Sequence, residues 1–199
     1  MPKVSEQYRK DRRRQIMVAV LKCFARKGIK ATLISDIIAE SGLSAGAIYG
    51  HFSNKDELVL FVVSEVFEVI AEQPALSSTE QPPVHPAYLI RDVTGHLWQE
   101  IGNPSLLLQI WGDAVTEPKV RELFDGVYAG LTAQLKARTI TWYQSQGLGP
   151  IEAQQRATEL TPLLIGTGQG YIIQSTLVES FDEEAYFASF KKLIDAADS

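Results

Sequence analysis

Hydrophobic positions recur at helical spacing along most of the chain. Ile16, Val20, Cys23 and Phe24 predict a helix from about Tyr8 to Lys27, closed by Gly28. Ile34, Ile37 and Ile38 share one face and predict a second helix from about Leu33 to Glu40. Ser41 and Gly42 stop it, because glycine readily takes the left-handed conformation of a helix end. Leu43 fills the corner. Ser44 is a good N-cap, so a third, short helix begins at Ala45. Asn54 and Glu57 form a capping pair that starts a fourth at Lys55, carrying Leu58, Phe61, Val62, Val66 and Val69.

The remainder reads the same way. Residues 73–86 hold four of the nine prolines and predict a loop. A fifth helix runs from Pro86 to Ile101. Asn103-Pro104 opens a sixth, to about Ala114, since proline at the first helical position loses no needed N–H. Thr116 and Pro118 restart the chain for a seventh, to about Gln146, closed by Gly147. Pro150 begins an eighth, to about Val178, with Pro162 as a kink position. Ser180 with Glu183 caps a ninth, ending near Ala197. No strand pattern or internal repeat interrupts this series. The expected fold is all-α, with about nine helices.

Helix, glycine-containing turn and short second helix is the arrangement that places its second helix in the DNA major groove. The stretch from Arg12 to Leu58 resembles the DNA-binding domain of the TetR family of transcriptional regulators. The residues that carry the resemblance are Phe24, Gly28, Thr32, Ile37, Ala39, Gly42, Ser44, Gly46, Ile48, Tyr49, His51, Phe52, Lys55 and Leu58. Beyond about Val69 the similarity is architectural only. It implies a three-helix DNA-binding domain over residues 1–54 and a helical effector-binding and dimerisation domain over 55–199, joined by the helix at 55–72. It also implies a pseudo-palindromic double-stranded DNA operator, a small-molecule effector, and a homodimer formed through the last two helices. The apolar residues behind that dimer are Leu163, Leu164, Ile172, Leu177, Phe187, Phe190 and Ile194.

Charge agrees with a DNA-touching head. Residues 1–60 hold 11 Lys/Arg and 6 Asp/Glu, whereas residues 61–199 hold 8 and 18. No run is apolar enough for a membrane span, and the basic N-terminus lacks the apolar core of a signal peptide, so a cytoplasmic protein is expected. Cys23 has no partner for a disulfide or metal site and reads as core.

The residues expected to face DNA are Thr32, Ser44, Ala45, Gly46, Ala47, Tyr49, Gly50, His51 and Lys55. Lys55 stands at a helix N-terminus, where backbone N–H groups also favour phosphate. By the resemblance, Thr32, Ser44, Tyr49, His51 and Lys55 act largely on the DNA backbone. The alternatives are a solvated turn for His51 and a packed aromatic for Tyr49. Phe52 is expected to point inward. The family often has an aromatic where Gly50 stands and a polar or basic residue where Ala45 stands. Ala45, Gly46, Ala47 and Gly50 carry no hydrogen-bonding side chain, so readout leans on apolar contacts, Ser44, DNA shape and the basic arm from Arg9 to Arg14.

The foremost candidates for an effector pocket are His96, Trp111, Tyr128, Gln169 and Tyr171, followed by Trp98, Asp113 and Trp142. Against this stands the common case that aromatics at helical spacing are core. Leu163 to Ile165 followed by Gly166-Thr167-Gly168-Gln169-Gly170 has the start of a phosphate loop, but Tyr171 stands where the dinucleotide fingerprint needs Gly or Ala. Gly166/Gly170 and Gly126/Gly130 instead read as sites of close helix crossing, at least one pair lying at a crossing, with a ligand cavity beside Gly166 and Gly170 as the rival reading. No catalytic set, metal cluster or cofactor motif emerges. The expected protein is a repressor released by a small ligand. A constitutive DNA binder without effector and an all-helical enzyme with a vestigial DNA head are the competing readings.

Overall fold

A computed structural model describes residues 6–71, 83–102 and 104–197. Among them are nine helices and no strand: α1 Glu6–Lys27, α2 Ile34–Ser41, α3 Ala45–Tyr49, α4 Lys55–Ala71, α5 Pro86–Ile101, α6 Ser105–Thr116, α7 Pro118–Ser145, α8 Pro150–Leu177 and α9 Glu183–Ala197. Most of the expected proline loop, the first residues of the arm and Asn103 lie outside the described residues.

The chain forms two compact units. The first comprises Met1–Val66 and Ser105–Leu123, the second Phe67–Pro104 and Phe124–Ser199. The boundary expected between residues 54 and 55 falls inside the first unit, which also takes in α6. Helices α4 and α7 contribute residues to both units.

In the first unit α1 packs on α2 and α6, and α2 on α3. The periodic residues of α1 are all sealed, with Ile16, Val20 and Cys23 at 0% exposure and Phe24 at 1%. Burial pushes the Cys23 thiol up, which keeps it neutral and unreactive. Gly28 and Gly42 close α1 and α2 at φ +81° and +67°, a region costly for a residue with a Cβ.

In the second unit α5 packs on α8 and α9, and α9 on α8. Leu89, Ile90, Val93 and Leu97 of α5 are buried, as are Leu160, Leu164, Ile165 and Ile172 of α8 and Phe187 and Ile194 of α9. Four of the residues read as dimer surface, Leu164, Ile172, Phe187 and Ile194, therefore belong to the core of the single chain. Apolar side chains left outside include Ile151 in the first turn of α8, Leu163, Ile173 and Leu177 further along it, Val178 just beyond it, and Leu193 on α9. The glycine-rich run at 166–170 lies within α8, so it forms no phosphate loop. Pro162 is accommodated inside α8 on an exposed position.

Two further expectations change. Asp182, not Ser180, caps α9: its Oδ1 accepts the Ala185 N–H at 2.9 Å. Asp and Ser are equivalent cap types, and the chain selects the one adjacent to the first helical turn. The glycine pairs also behave differently. A Cβ at Gly126, Gly130 or Gly166 would meet nothing within 4 Å, so no crossing occurs there. The close approach is at Gly168, where a Cβ would lie 3.2 Å from Ile90 Cγ2 of α5. Gly170 does face a neighbouring helix: a Cβ there would sit 2.9 Å from the Tyr186 hydroxyl, which donates to the Thr167 carbonyl at 2.8 Å.

These environments separate two substitutions. Gly126→Ala should raise stability by about 0.5–1 kcal/mol, because alanine removes the backbone-entropy cost of a helical glycine without a clash. Gly168→Leu should lower it by about 1–3 kcal/mol through overpacking against Ile90. Denaturant unfolding at fixed protein concentration reads both.

Candidate nucleic-acid interface

The interface is built on two caps. Asp36 reaches back so that its Oδ2 accepts the Leu33 N–H at 2.9 Å, while its Oδ1 accepts from Lys27 Nζ at 2.6 Å. The Lys27 hydrogen bond first, and the Leu33 N–H second, hold the Asp36 carboxyl below its usual range. Gly42 then ends α2, its N–H donating to the Ile38 carbonyl at 3.1 Å. Ser44 starts α3, its Oγ accepting the Ala47 N–H at 3.2 Å. Ile48 at 0% exposure and Phe52 at 1% hold α3 against the core, and Phe52 lies 5.0 Å from the Phe61 ring.

This packing turns one face of α3 outward. Ser44, Ala45, Gly46, Tyr49 and Gly50 are exposed, Tyr49 by 53%, while Ala47 and His51 are half-buried. Lys55 is half-buried and donates to the Lys30 carbonyl at 3.0 Å. An ammonium has three donors, so this bond leaves others for a phosphate. Thr32 differs from its expected role. It is fully buried, and its hydroxyl donates to the Gly28 carbonyl at 2.7 Å, fixing the turn between α1 and α2.

The basic arm is partly committed to the protein. Arg12 donates to Tyr8 Oη at 3.0 Å and to Gln15 Oε1 at 2.7 Å. The Arg13 guanidinium sits 4.4 Å from the centre of the Phe61 ring. Arg14 is exposed.

One residue was not visible to pattern reading. Gln109 of α6 accepts the Ile29 N–H at 2.8 Å, and its Oε1 would lie 3.2 Å from a Cβ on Gly28. Beside it, Asp113 approaches Lys30 at 3.7 Å. The left-handed turn at Gly28 leaves the Ile29 N–H without a helical acceptor, and Gln109 supplies one. The sequence trace is two polar residues four apart, Gln109 and Asp113, within the otherwise apolar stretch from Leu106 to Val115.

In the second unit, the expected effector residues do not form one cluster. His96 and Tyr171 line an open depression of about 430 Å³ together with Arg91, Asp92, Trp98 and Glu183. Tyr171 donates to Glu183 at 3.0 Å, and Arg91 pairs with Glu183 at 3.3 Å and with Glu184. Burial first, then the Glu183 hydrogen bond, pushes the Tyr171 hydroxyl up, and burial raises the Asp92 carboxyl against the opposing pull of Arg91. Tyr128 stands apart on α7, 40% exposed and 6.0 Å from the Phe124 ring. Gln169 is half-buried on α8 and does not line the depression. Trp111 belongs to the first unit.

Comparison with known proteins points the same way. The family model described as "Bacterial regulatory proteins, tetR family" matches residues 16–62. The HTH-type transcriptional regulator TtgR of Pseudomonas putida is 29% identical over 113 residues, 57% of this chain and 47% of that protein. The HTH-type transcriptional repressor AcnR of Corynebacterium jeikeium is 36% identical over 75 residues, 38% of this chain and 40% of that protein. The chain thus spans about half the length, or less, of these curated relatives. The solved structure of GusR from Salmonella enterica shares the fold with a TM-score of 0.71 at 20% identity, covering 97% of each chain.

Gln109→Ala should cost about 1–2 kcal/mol, because the Ile29 N–H loses its acceptor in a partly buried turn. Gln109→Glu keeps an acceptor and should cost less. Thermal or denaturant unfolding of the two variants side by side checks this.

Proposed function

The chain belongs to the tetR family of bacterial regulatory proteins, and from that premise we propose that it is a homodimeric transcriptional regulator, a repressor released from its operator by a small molecule. The observation that carries the DNA-binding part is the outward face of α3, capped by Ser44 and seated on Ile48 and Phe52, inside the segment that matches the family. One such helix per subunit of a two-fold dimer reads a pseudo-palindrome. Half-site centres then fall about 34–36 Å apart, or a multiple of that. The family's regulatory character argues against the competing enzyme reading.

The dimer reading draws on the apolar stripe left outside the second unit. Leu163 is 63% exposed, Leu177 70% and Leu193 69%. Phe190 and Leu193 of α9 and Thr167 and Gln174 of α8 share one groove of about 540 Å³. A second copy laying its own α8 and α9 there forms a four-helix bundle, and such an interface exceeds about 1,000 Å².

The effector reading draws on the depression at His96, Trp98 and Tyr171, whose volume lies in the range of small-molecule sites. Release follows if the ligand prefers a conformation in which the two reading helices are wrongly spaced. The shift can be no larger than that difference in affinity.

Two experiments test this. Lys55→Ala should weaken binding to every duplex by a similar factor and reduce the slope of log K against log salt by about one. A change of preferred base at a single position would instead reassign Lys55 to base reading. Leu163→Glu combined with Leu193→Glu should convert a dimer at micromolar concentration to a monomer in sedimentation, with the fold intact by circular dichroism. If the wild-type chain is already monomeric, the dimer reading is wrong.

A further inference from the structure

We propose that α3 recognises its half-site chiefly through thymine methyl groups, so that the operator is read at A·T pairs by apolar contact rather than by paired hydrogen bonds. The inference rests on the DNA-binding function proposed above and specifies what that helix can distinguish.

The outward face of α3 is Ala45, Gly46, Tyr49 and Gly50, with Ser44 at its start. Ile48 is spent on the core, and the Ser44 oxygen already accepts the Ala47 N–H at 3.2 Å. The face therefore offers two hydroxyl groups, on Ser44 and Tyr49, and no amide, guanidinium or carboxylate. In the major groove guanine and adenine are told apart by partners that engage two edge atoms at once. No side chain on this face can do that. Single hydrogen bonds from the two hydroxyls discriminate weakly, and the sequence-dependent group in the groove that accepts apolar contact is the C5-methyl of thymine. The Ala45 methyl and the Tyr49 ring, one helical turn apart and 53% exposed at Tyr49, are the matching surface.

The two glycines on this face differ. A Cβ at Gly50 would lie 3.1 Å from the Gly46 carbonyl, so the turn itself disfavours a side chain there. At Gly46 a Cβ would meet only Ser44 Oγ, at 4.0 Å. The protein has room for a reading side chain at Gly46 and presents bare backbone instead. A bare position lets the helix settle close to the base edges, which short apolar contacts require.

The test begins with selection of duplexes from a random pool by the full chain. Each thymine of the enriched half-site is then replaced by deoxyuridine, which removes the methyl and nothing else. Thymines under α3 should each lose about fourfold in affinity, the value of one buried methyl. Replacing such a thymine by cytosine should cost more, and 5-methylcytosine should recover part of that loss. Gly46→Arg, which the open space tolerates, should shift selection towards guanine. Full affinity for the deoxyuridine half-site overturns the proposal while leaving DNA binding intact, and so does an unchanged half-site for Gly46→Arg. A pool in which no duplex is enriched overturns the methyl readout and the DNA-binding function together.

Discussion

The burial of Ile48 and Phe52 is the constraint on which the rest of the interface depends. A helix of five residues has too few internal hydrogen bonds to offset the cost of its own nucleation. It persists because Ile48 and Phe52 are sealed under it and Ser44 satisfies one of its free N–H groups. Once those two side chains point inward, helical geometry leaves Ala45, Gly46, Tyr49 and Gly50 no choice but to point outward. The outward face is the complement of the core contact, not an independently built feature. Loss of the Phe52 ring would tilt α3 before it altered any group on its outward face.

A second tier supports this one. The turn at Gly28 must be left-handed to redirect the chain from α1 into α2, and that conformation strands the Ile29 N–H. Thr32 closes the turn from within and Gln109 from α6, so local and distant residues share one small corner. Surface ion pairs such as Lys27–Asp36 and Arg26–Glu40 lie along the same α1–α2 seam. Exposed pairs of this kind are worth little each, and they orient the seam more than they hold it. Hydrogen bonds that satisfy buried or half-buried backbone groups carry the larger penalty when removed.

Much of this was legible in the chain because it obeys local rules. The period of Ile16, Val20, Cys23 and Phe24 gives a helix with one apolar face, and all four are sealed. Gly42, Ser44 and the Asn54–Glu57 pair act within four residues of themselves, so their roles can be read without a fold. The Asn54 Oδ1 accepts the Glu57 N–H at 2.8 Å, and the Glu57 carboxylate turns back to accept the Ser53 N–H at 2.7 Å. What could not be read is what distance in sequence conceals. Gln109 lies 80 residues from the N–H it satisfies. Thr32 is expected on the DNA side by the resemblance alone, and the fold turns its hydroxyl to the Gly28 carbonyl instead.

Helix α8 shows the same limit most sharply. It is apolar on more than one side, so its sequence has no single stripe from which to infer an inside. Leu163 and Leu164 are neighbours of equal hydrophobicity, yet one is 63% exposed and the other 0%. The glycines follow suit: Gly166 faces open space while Gly168, two residues on, admits Ile90. Spacing alone could not choose between the faces, because both satisfy a helical period. The choice is made by packing against α5, whose Ile90 sits close against the bare position at Gly168. Fixing Gly168 inward fixes Leu164, Ile165, Tyr171 and Ile172 inward with it and Leu163 and Leu177 outward. Leaving a leucine in water forgoes about 1.5–3 kcal/mol of burial. Three of them, Leu163, Leu177 and Leu193, make a surface that gains from being covered.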